Sequence, residues 1–474
     1  MIKFGTSGWR DIIAEGFTYQ GVRIVSQAIV DLLEAEGCSG NKQIIIGYDT
    51  RFMSEDFAKA SAEIFAGNGF EVHYSIEDVP TPTIAYEIIR SGACGGINIT
   101  ASHNPYRYSG IKFSPAWGGP ALPETTKEIE SNCLKIEKDL SVIKRIHFAD
   151  AVKDGIIKKK DFKEDYLKRI EELINIKAIK ESGIRVAVDV MNGAGRGYLD
   201  TILQYHGVPT LALNTNRDPF FRGHHPEPSA ECLGDAIEFV KEDNADLAVA
   251  TDGDADRFGI IDKDGSYITA NEIVAVLLYH LVKHRGYSGI AARSVMTSSF
   301  IDAVAEEYGI ELRETPVGFK FIGDILVKEN LLIGGEESGG LTIKDHVPEK
   351  DGVLACLLVI EMVAMFGKSI KAIIKELEDK VGKFYNDRAN YRLRPDVMER
   401  VKRTLASNPP QQFGDFKVNK IITLDGYKFI FDNKAWLGIR LSGTEPVIRC
   451  YAETKSQEAL EALLKAGDEL INSI

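Results

Sequence analysis

Several features that define other classes of protein are missing from this chain of 474 residues. No apolar run is long enough to span a membrane, and the opening Met1 to Gly5 lacks the apolar region of a signal peptide. The six cysteines, at positions 38, 94, 133, 232, 356 and 450, form no CxxC pair and no metal-like spacing. We therefore expect free thiols in a reducing compartment and a cytoplasmic location.

Positive charge is also scarce, because 57 Lys and Arg face 70 Asp and Glu, giving a formal net charge of −13. Such a balance argues against nucleic acid and against anionic membranes as partners. A hydrophobic content of 44% is sufficient for ordinary cores. At this length we expect about three or four domains.

A serine follows a short apolar segment in the first third of the chain. Gly96 to Ile99 is predicted to be a buried strand, and Asn104-Pro105 to end it in a loop. Ser102 and His103 then lie just past the carboxyl end of a strand, where open α/β sheets bind ligands. A loop serine alone is more often solvated or caps a turn, so a nucleophile needs support from other motifs.

Three aspartates occupy every second position after another apolar segment: Asp252, Asp254 and Asp256. In an extended backbone their carboxylates would point the same way and repel one another, which favours a bound cation such as Mg²⁺. A calcium loop of the EF-hand type is excluded, because its sixth and twelfth positions hold Arg257 and Lys263. A solvated acidic turn is the alternative.

Glycines bracket two carboxylates and a hydroxyl in the segment Gly334 to Gly340, which contains Glu337 and Ser338. Such a backbone can approach a small polyhydroxy ligand, and the carboxylates can accept hydrogen bonds from its hydroxyls. A flexible acidic turn is equally consistent with the residues. Just upstream, a Gly/Pro-punctuated loop adds an aromatic ring and a cation through Thr315, Gly318, Phe319 and Lys320.

A fourth loop lies between two predicted strands of a hairpin, Trp436 to Leu441 and Val447 to Tyr451. It offers a guanidinium, two hydroxyls and a glycine N–H in Arg440, Ser442, Gly443 and Thr444, with Arg449 beyond. Together these groups could surround a phosphate. An arginine in a hairpin is otherwise usually a surface residue.

Taken in order, these four passages resemble the α-D-phosphohexomutase family, and the resemblance runs the length of the chain. Further family-like motifs are Phe4 to Arg10, Asp49-Thr50-Arg51, Met191 to Gly195 and Pro226 to Pro228. The resemblance implies that Ser102 carries the transferable phosphate, which contacts the metal. It also implies that the three aspartates hold Mg²⁺, that Glu337 and Ser338 contact sugar hydroxyls, and that Arg440, Ser442 and Thr444 clamp the non-reacting phosphate.

The implied activity interconverts hexose 1-phosphate and hexose 6-phosphate through a hexose 1,6-bisphosphate, which also serves as activator. Arg10 and Lys112 match basic residues implicated in proton transfer. We expect Lys112 to be the base, with its pKa lowered by neighbouring cations, and Arg257 to add positive charge. Because neighbours on an extended chain point to opposite sides, His103 is given only an orienting role. A phosphatase and an inactive sugar-phosphate binding protein are the alternatives from other classes.

The preferred sugar is predicted to be glucose. Gly340 stands where many mannose- and glucosamine-type members carry a histidine, and the loop from Thr315 to Lys320 is closer to the glucose branch. Phosphomannomutase or dual activity is the alternative, and phosphoglucosamine mutase is a weaker one. The expected partner is a phosphosugar, and the protein is expected to be a monomer or a homodimer.

The predicted architecture is α/β with four domains around a central cleft. Three similar domains with mixed, mostly parallel sheets are expected over 1–150, 151–258 and 259–378, and an α+β domain with an antiparallel sheet over 379–474. A charged stretch, about 153–168, is expected to separate the first two domains. The turn Gly193 to Gly197 is not a dinucleotide loop, because Tyr198 stands where the last glycine is needed. The last domain is expected to contain one helix, about 457–471.

Overall fold

The computed structural model describes residues 2–5, 7–38, 42–242, 244–441 and 447–473. The described elements form four successive domains, each built on its own main sheet. The first three sheets are mixed and the fourth is antiparallel, which confirms the predicted fold class.

The first domain contains a six-stranded sheet. Its strands are β1 Trp9–Ile12, β2 Gln43–Tyr48, β3 Glu71–Ser75, β4 Gly95–Ile99, β5 Tyr108–Pro115 and β6 Ile157–Lys160. Its helices are α1 Tyr19–Ala35, α2 Ser54–Gly67, α3 Thr81–Ser91, α4 Pro123–Ile136 and α5 Phe148–Lys153. The spatial order is β1-β5-β4-β2-β3-β6, with β5 antiparallel to both of its neighbours.

The second domain contains a five-stranded sheet in the order β11-β10-β9-β7-β8. Its strands are β7 Val186–Asp189, β8 Thr210–Leu213, β9 Leu247–Thr251, β10 Phe258–Asp262 and β11 Tyr267–Ile268. Its helices are α6 Lys163–Leu173, α7 Ile176–Ser182, α8 Leu199–Tyr205 and α9 Gly234–Lys241. Strands β9 and β10 form an antiparallel pair, so residues 252–257 are the loop of a hairpin.

The third domain contains a four-stranded sheet in the order β13-β12-β14-β15. Its strands are β12 Ile290–Ser294, β13 Glu311–Thr315, β14 Leu331–Gly335 and β15 Leu341–Ile343. Its helices are α10 Ala270–Arg285, α11 Phe300–Glu307, α12 Phe319–Lys328, α13 Gly352–Phe366 and α14 Ile370–Val381. Many of its buried residues belong to one hydrophobic cluster with residues of the second domain, so these two domains share a large part of their cores.

The fourth domain contains a five-stranded antiparallel sheet in the order β16-β22-β21-β20-β19 and a separate two-stranded sheet of β17 and β18. Its strands are β16 Tyr385–Arg392, β17 Gln412–Phe413, β18 Phe416–Lys417, β19 Lys420–Ile422, β20 Tyr427–Ile430, β21 Trp436–Leu441 and β22 Val447–Thr454. Two helices, α15 Pro395–Ser407 and α16 Gln457–Ser473, replace the single helix expected. The amphipathic α15 buries Val401 and Leu405, a pattern that the sequence reasoning missed.

Each of the first three domains extends beyond its predicted limit. The first sheet continues through β6 to Lys160 rather than ending at 150, the second to Ile268 rather than 258, and α14 to Val381 rather than 378. The charged stretch spans the boundary between the first two domains, since β6 ends at Lys160 and α6 begins at Lys163. It contains an edge strand that buries Ile157 and exposes three lysines, as edge strands commonly do.

The thiol expectation is wrong for two of the six cysteines. Cys38, after α1, and Cys94, before β4, form a disulfide with 6.0 Å between their Cα atoms. Their separation of 56 residues leaves no local signal of the pair. The free cysteines are Cys133, Cys232, Cys356 and Cys450.

Membrane-spanning potential was tested on the helices of the described residues. No single helix is long and apolar enough to cross a bilayer; α13 and α14 pass only as a pair, bent by 77°.

Candidate active site

Ser102 lies in the loop between β4 and β5, and its hydroxyl reaches the second domain. Its Oγ donates to Oδ2 of Asp252 at 2.7 Å, and the side chain is 1% exposed. Its φ of 51° is in the left-handed region, which costs free energy for a residue other than glycine. The backbone around Ser102 is therefore held in place by its neighbours.

The Asp252 to Asp256 loop is a tight turn rather than the extended segment predicted. Ala255 has a φ of 56°, and the N–H groups of Asp256 and Arg257 both donate to Oδ1 of Asp252. Even so, one oxygen from each of the three aspartates lies within 4.8 Å of the others. The turn, and not strand alternation, brings the carboxylates together.

These carboxylates fit a divalent cation. Oδ1 of Asp254 and Oδ1 of Asp256 are buried and have no hydrogen-bond partner, so two oxygens are available as ligands. Burial, reinforced by the two other aspartates, raises the pKa of Asp252 well above its usual value. Burial also opposes ionisation of Asp256, but Lys112 and Lys350 outweigh it and lower the pKa of that carboxyl.

Lys112, on β5, bridges two of the aspartates. Its Nζ donates to Oδ2 of Asp254 and to Oδ2 of Asp256, both at 2.6 Å. Burial alone would lower the pKa of Lys112, but the two carboxylates outweigh burial and raise it. The expected lowering by neighbouring cations is therefore wrong, because the groups that contact this ammonium are anions.

His103 lies on the same side as the serine hydroxyl, contrary to the prediction. Because Ser102 is not extended, Nδ1 of His103 comes to 3.5 Å from Ser102 Oγ. Burial, with smaller contributions from Arg257 and Arg10, holds the pKa of His103 well below its usual value. The imidazole is therefore neutral at pH 7.

Two arginines from different domains flank the loop. Arg10, on β1, donates through Nη1 to Oδ1 of Asn104 at 2.8 Å and through Nη2 to the carbonyl of Ser7. Arg257 ends the aspartate turn, with its Nε 3.9 Å from Oδ1 of Asp256. Each influences the pKa of the buried His103, so all three groups lie in one region.

The proposed sugar contacts lie in the third domain. Oε2 of Glu337 accepts hydrogen bonds from Ser294 Oγ at 3.0 Å and from Thr297 Oγ1 at 3.2 Å. Ser338 is half-buried beside it. Thr315 ends β13, and its hydroxyl lies within hydrogen-bond distance of two main-chain carbonyls, those of Arg293 and Pro316, to one of which it donates. Glu337 is thus held by hydroxyl groups of its own domain.

The loop that precedes α12 is joined to the same region. The N–H of Gly318, whose φ of 128° suits glycine, donates to Oε1 of Glu336 at 2.7 Å. Burial, with the neighbouring Glu337, raises the pKa of Glu336 to about 7. Phe319 and Lys320 are buried, and burial lowers the pKa of Lys320.

The fourth domain supplies Arg440, whose Nε donates to Oδ2 of Asp425 at 3.0 Å. The same oxygen accepts the N–H of Val317, so this arginine is tied to the third domain. Arg449 lies opposite Arg440 on the neighbouring strand β22. The other predicted phosphate contacts, Ser442, Gly443 and Thr444, lie outside the described residues.

Two buried cations that carry no role in the sequence analysis lie at the centre of the site. Lys350 contacts Oδ2 of Asp256 at 3.2 Å and Oε1 of Glu349 at 2.6 Å, and its Nζ lies 5.3 Å from the ring centroid of Phe319. Arg51 is fully buried beneath the Ser102 loop. In the sequence, Lys350 lies in a segment with a proline and a glycine, and Arg51 lies in a family-like motif. Neither setting reveals that the charged side chain is buried.

Cationic side chains lie in two groups around the site. Lys112, Lys350 and Arg257 act on the pKa of Asp256, whereas Arg440 of the fourth domain acts on the pKa of Lys320 of the third. The carboxylate of Glu336 acts on both groups, because it favours the protonated form of Lys350 and that of Lys320.

The sequence and the fold both match known proteins. Four consecutive domain families of phosphoglucomutase/phosphomannomutase match the chain: alpha/beta/alpha domain I over residues 1–140, domain II over 164–265, domain III over 269–381 and the C-terminal domain over 392–469.

Relatives with different sugar names match almost the whole chain. A phosphoglucomutase/phosphomannomutase of Thermococcus kodakarensis is 32% identical, covering 99% of this chain and 98% of its own length. A probable phosphoglucosamine mutase of Methanosphaera stadtmanae is 30% identical, with the same coverage. A solved structure from Thermus thermophilus, named as a phosphomannomutase, is 31% identical with a TM-score of 0.84, covering 99% of both chains. The chain therefore belongs to the phosphoglucomutase/phosphomannomutase family and is a phosphohexomutase, an isomerase.

Proposed function

We propose that this protein interconverts hexose 1-phosphate and hexose 6-phosphate, with glucose as the preferred sugar, through a phosphoserine at Ser102. The observation that carries the proposal is the 2.7 Å contact between Ser102 Oγ and Asp252, beside two further carboxylates. A binding protein has no need of a buried hydroxyl at such a place, and for this reason an inactive binder is the weaker alternative.

Each half of the reaction moves one phosphoryl group. A hydroxyl oxygen of the sugar phosphate attacks the phosphorus carried by Ser102, and its new P–O bond forms as the bond between phosphorus and Ser102 Oγ breaks. The proton lost by the attacking hydroxyl is balanced by the proton that Ser102 Oγ gains on becoming a hydroxyl again. The product is a hexose 1,6-bisphosphate and a free serine, which is rephosphorylated from the other end after the intermediate turns over. In-line positioning and charge neutralisation supply most of the catalysis in such transfers.

Mg²⁺ is the cation that we expect at Asp252, Asp254 and Asp256, where it would act as a Lewis acid toward the transferring group. Lys112 and Arg257 add fixed positive charge near the equatorial oxygens of the transition state, whose negative charge must be neutralised. Asp254 and Asp256 favour the protonated ammonium of Lys112, so we assign this lysine to charge neutralisation rather than to proton transfer. Arg10 orients the loop through Asn104, and His103 is placed to contact the serine oxygen.

The sugar is held in the third domain and its far phosphate in the fourth. We assign Glu337 and Ser338 to the hydroxyls, Thr315, Gly318, Phe319 and Lys320 to the adjoining wall, and Arg440 with Arg449 to the phosphate. Ser442, Gly443 and Thr444 are assigned to the same phosphate by resemblance alone. A hexose 1,6-bisphosphate is expected to activate the enzyme by phosphorylating Ser102.

The preference for glucose is supported by the lack of space for a side chain at position 340. A Cβ at this position would collide with Cδ and Cγ of Lys350, so the histidine of other family members would displace that lysine. Epimers differ by one hydroxyl, and a loose pocket distinguishes them by about 1–3 kcal/mol. Mannose or dual specificity is the second candidate, in line with the names of the Thermococcus kodakarensis relative and of the Thermus thermophilus structure, and glucosamine, named for the Methanosphaera stadtmanae relative, is the third.

Intact-mass measurement and a coupled assay test the proposal. Some wild-type molecules are expected to carry one phosphoryl group, and Ser102→Ala none, whereas Ser61→Ala, a buried serine of α2, should retain both phosphate and activity. Among glucose, mannose and glucosamine 1-phosphates, glucose 1-phosphate should turn over fastest. Turnover by Ser102→Ala at the wild-type rate would contradict the mechanism, and faster turnover of another sugar would contradict the preference. We also propose a cytoplasmic location and a monomer or homodimer.

A further inference from the structure

The guanidinium of Arg51 lies beneath the Ser102 loop, with every N–H group engaged. Nε donates to Oδ2 of Asp49 at 3.0 Å. The four remaining N–H groups donate to main-chain carbonyls of one short segment: Ser102, Asn104, Pro105 and Tyr108. An arginine has five N–H donors in a rigid fork, so this loop uses all of them.

The number of carbonyls explains why an arginine is needed. A lysine has three donors on a single nitrogen and cannot reach four carbonyls and a carboxylate in these directions. Asp49 is itself fixed, because its Oδ1 accepts from the N–H of Arg51 and from Ser54 Oγ. Arg51 and Asp49 are fully buried and Ser102 is 1% exposed, so loss of the guanidinium would leave at least the Ser102 carbonyl without a donor where water cannot easily replace it.

The Ser102 loop needs such support. The left-handed backbone of Ser102 persists only where surrounding contacts outweigh its cost. Within the loop, the Ser102 N–H donates to Thr100 Oγ1 and the Asn104 N–H to the carbonyl of Ala101. The Arg51 fork adds contacts on the opposite side of the main chain, at the carbonyls. It therefore fixes the direction in which Ser102 Oγ points.

The second domain closes over this arginine. The ring of Phe221 lies over the guanidinium, with 5.0 Å between the Arg51 Cζ and the ring centroid, and is 3% exposed. Phe221 and Arg222 both have a positive φ, 49° and 56°, which indicates that the segment is held against its intrinsic preference. The aspartate that receives the serine hydroxyl comes from the same domain.

We propose that Arg51 is a positioning residue for phosphoryl transfer, and that Phe221 completes it only when the first two domains are docked. The hydrogen bonds of Arg51 to the Ser102 loop and the contact of Phe221 with Arg51 fix the position of this loop relative to Asp252. The serine oxygen is thereby held facing the aspartates. This inference rests on the proposed function, since it assigns a role in that reaction.

The test compares Arg51→Lys with Arg285→Lys. Arg285 is also largely buried, and it also binds a carboxylate and a main-chain carbonyl, but at Glu361 and Leu173, away from the serine loop. With glucose 1-phosphate, Arg51→Lys should lower kcat about 10²-fold, the size expected of a misplaced reacting group, and leave KM within about twofold. Arg285→Lys should change neither by more than about twofold.

Hydrogen exchange of the peptide containing residues 102–108 provides a readout independent of activity. Exchange should be faster in Arg51→Lys and unchanged in Arg285→Lys. Phe221→Leu should give a smaller fall in kcat with the same faster exchange, and Phe239→Leu, at a half-buried phenylalanine of α9 in the same domain, should give neither. These milder variants keep the test available if Arg51→Lys does not fold.

Unchanged exchange in both Arg51→Lys and Phe221→Leu would overturn the inference, as would an equal loss of kcat in Arg285→Lys. A wild-type protein without mutase activity and without phosphate on Ser102 would refute the proposed function. In that case the exchange comparison alone would decide whether Arg51 and Phe221 hold the loop.

Discussion

The junction between the first and second domains differs from that between the third and fourth. At the first junction, Ser102, Thr81 and Lys112 donate to aspartates of the second domain, and all of these side chains are buried. At the other junction, Asp425 of the fourth domain accepts the N–H of Val317 from the third and pairs with Arg440 of its own domain, and the side chains of Asp425 and Arg440 are 27% and 12% exposed. The proposed site of phosphoryl transfer at Ser102 is therefore already formed and buried, while the proposed phosphate contact at Arg440 is more accessible to water. We expect changes at the first junction to lower kcat and changes at the second to raise KM.

Removing the metal should have the largest effect. Treatment with EDTA should lower activity about 10³-fold or more, because a Lewis acid supplies several kcal/mol of transition-state stabilisation. Added Mg²⁺ should restore the wild type but not Asp252→Asn. Asp262→Asn is the matched control: Asp262 is a buried aspartate of the same domain that accepts from N–H groups at the start of α14. Full activity in EDTA would refute the role of the three aspartates.

Replacing Lys112 should come next, and it separates structure from chemistry at the first junction. Lys112→Met leaves Asp254 and Asp256 facing one another in a buried site, which typically costs about 3–5 kcal/mol. Thermal unfolding should show a lower midpoint, partly recovered when Mg²⁺ is added. Lys158→Met, at an exposed residue of β6, should leave the midpoint unchanged. A Lys112→Met protein as stable as wild type without Mg²⁺ would show that the aspartates do not need this cation.

The site also shows which features the sequence could predict. Ser102 and the three aspartates were identified from residue type and from their position after apolar strands. Neither criterion depends on whether the loop itself is extended or turned. Their geometry was not predictable, since the aspartates meet through a turn with left-handed Ala255 rather than through strand alternation. The pattern indicated the ligand chemistry, and tertiary packing set its geometry.

Predictions that depended on neighbours were less successful. The direction of the Lys112 pKa was wrong because the sequence could not say that two aspartates, and not cations, contact its Nζ. Arg51 was noticed in a motif without a role, because its importance arises from complete burial beneath four carbonyls. The charged stretch of about 153–168 was predicted only as a separator, because three successive lysines at 158–160 do not reveal an edge strand whose single buried residue is Ile157.

The stability of the second junction should depend on pH through Lys428. This side chain is buried between the carbonyl of Val295 and the ring of Trp436, and burial lowers its pKa to about 8 from 10.5. Above about pH 8 the folded state loses this proton while the unfolded state keeps it, so stability should rise with pH toward 10.5. The gain is at most about 3 kcal/mol.

The measurement is the thermal midpoint of unfolding between pH 7 and 10 (roughly the range over which the two states differ in protonation). In Lys428→Met this rise should be absent, since no proton is exchanged at this position. A wild-type midpoint that falls across the range in parallel with that of Lys428→Met would contradict the assignment.

The smallest expected effect is also the most direct test of the division between kcat and KM. Asp425→Asn keeps an oxygen for the Val317 N–H but removes the charge that holds Arg440, and hydrogen bonds to charged groups contribute about 1.5–3 kcal/mol. We expect KM for glucose 1-phosphate to rise about tenfold with kcat nearly unchanged, because every tenfold corresponds to about 1.4 kcal/mol. Asp432→Asn, at an exposed residue of the same domain, should alter neither constant. A fall in kcat with unchanged KM would mean that the fourth domain acts on the chemical step, and that the two junctions do not divide the work.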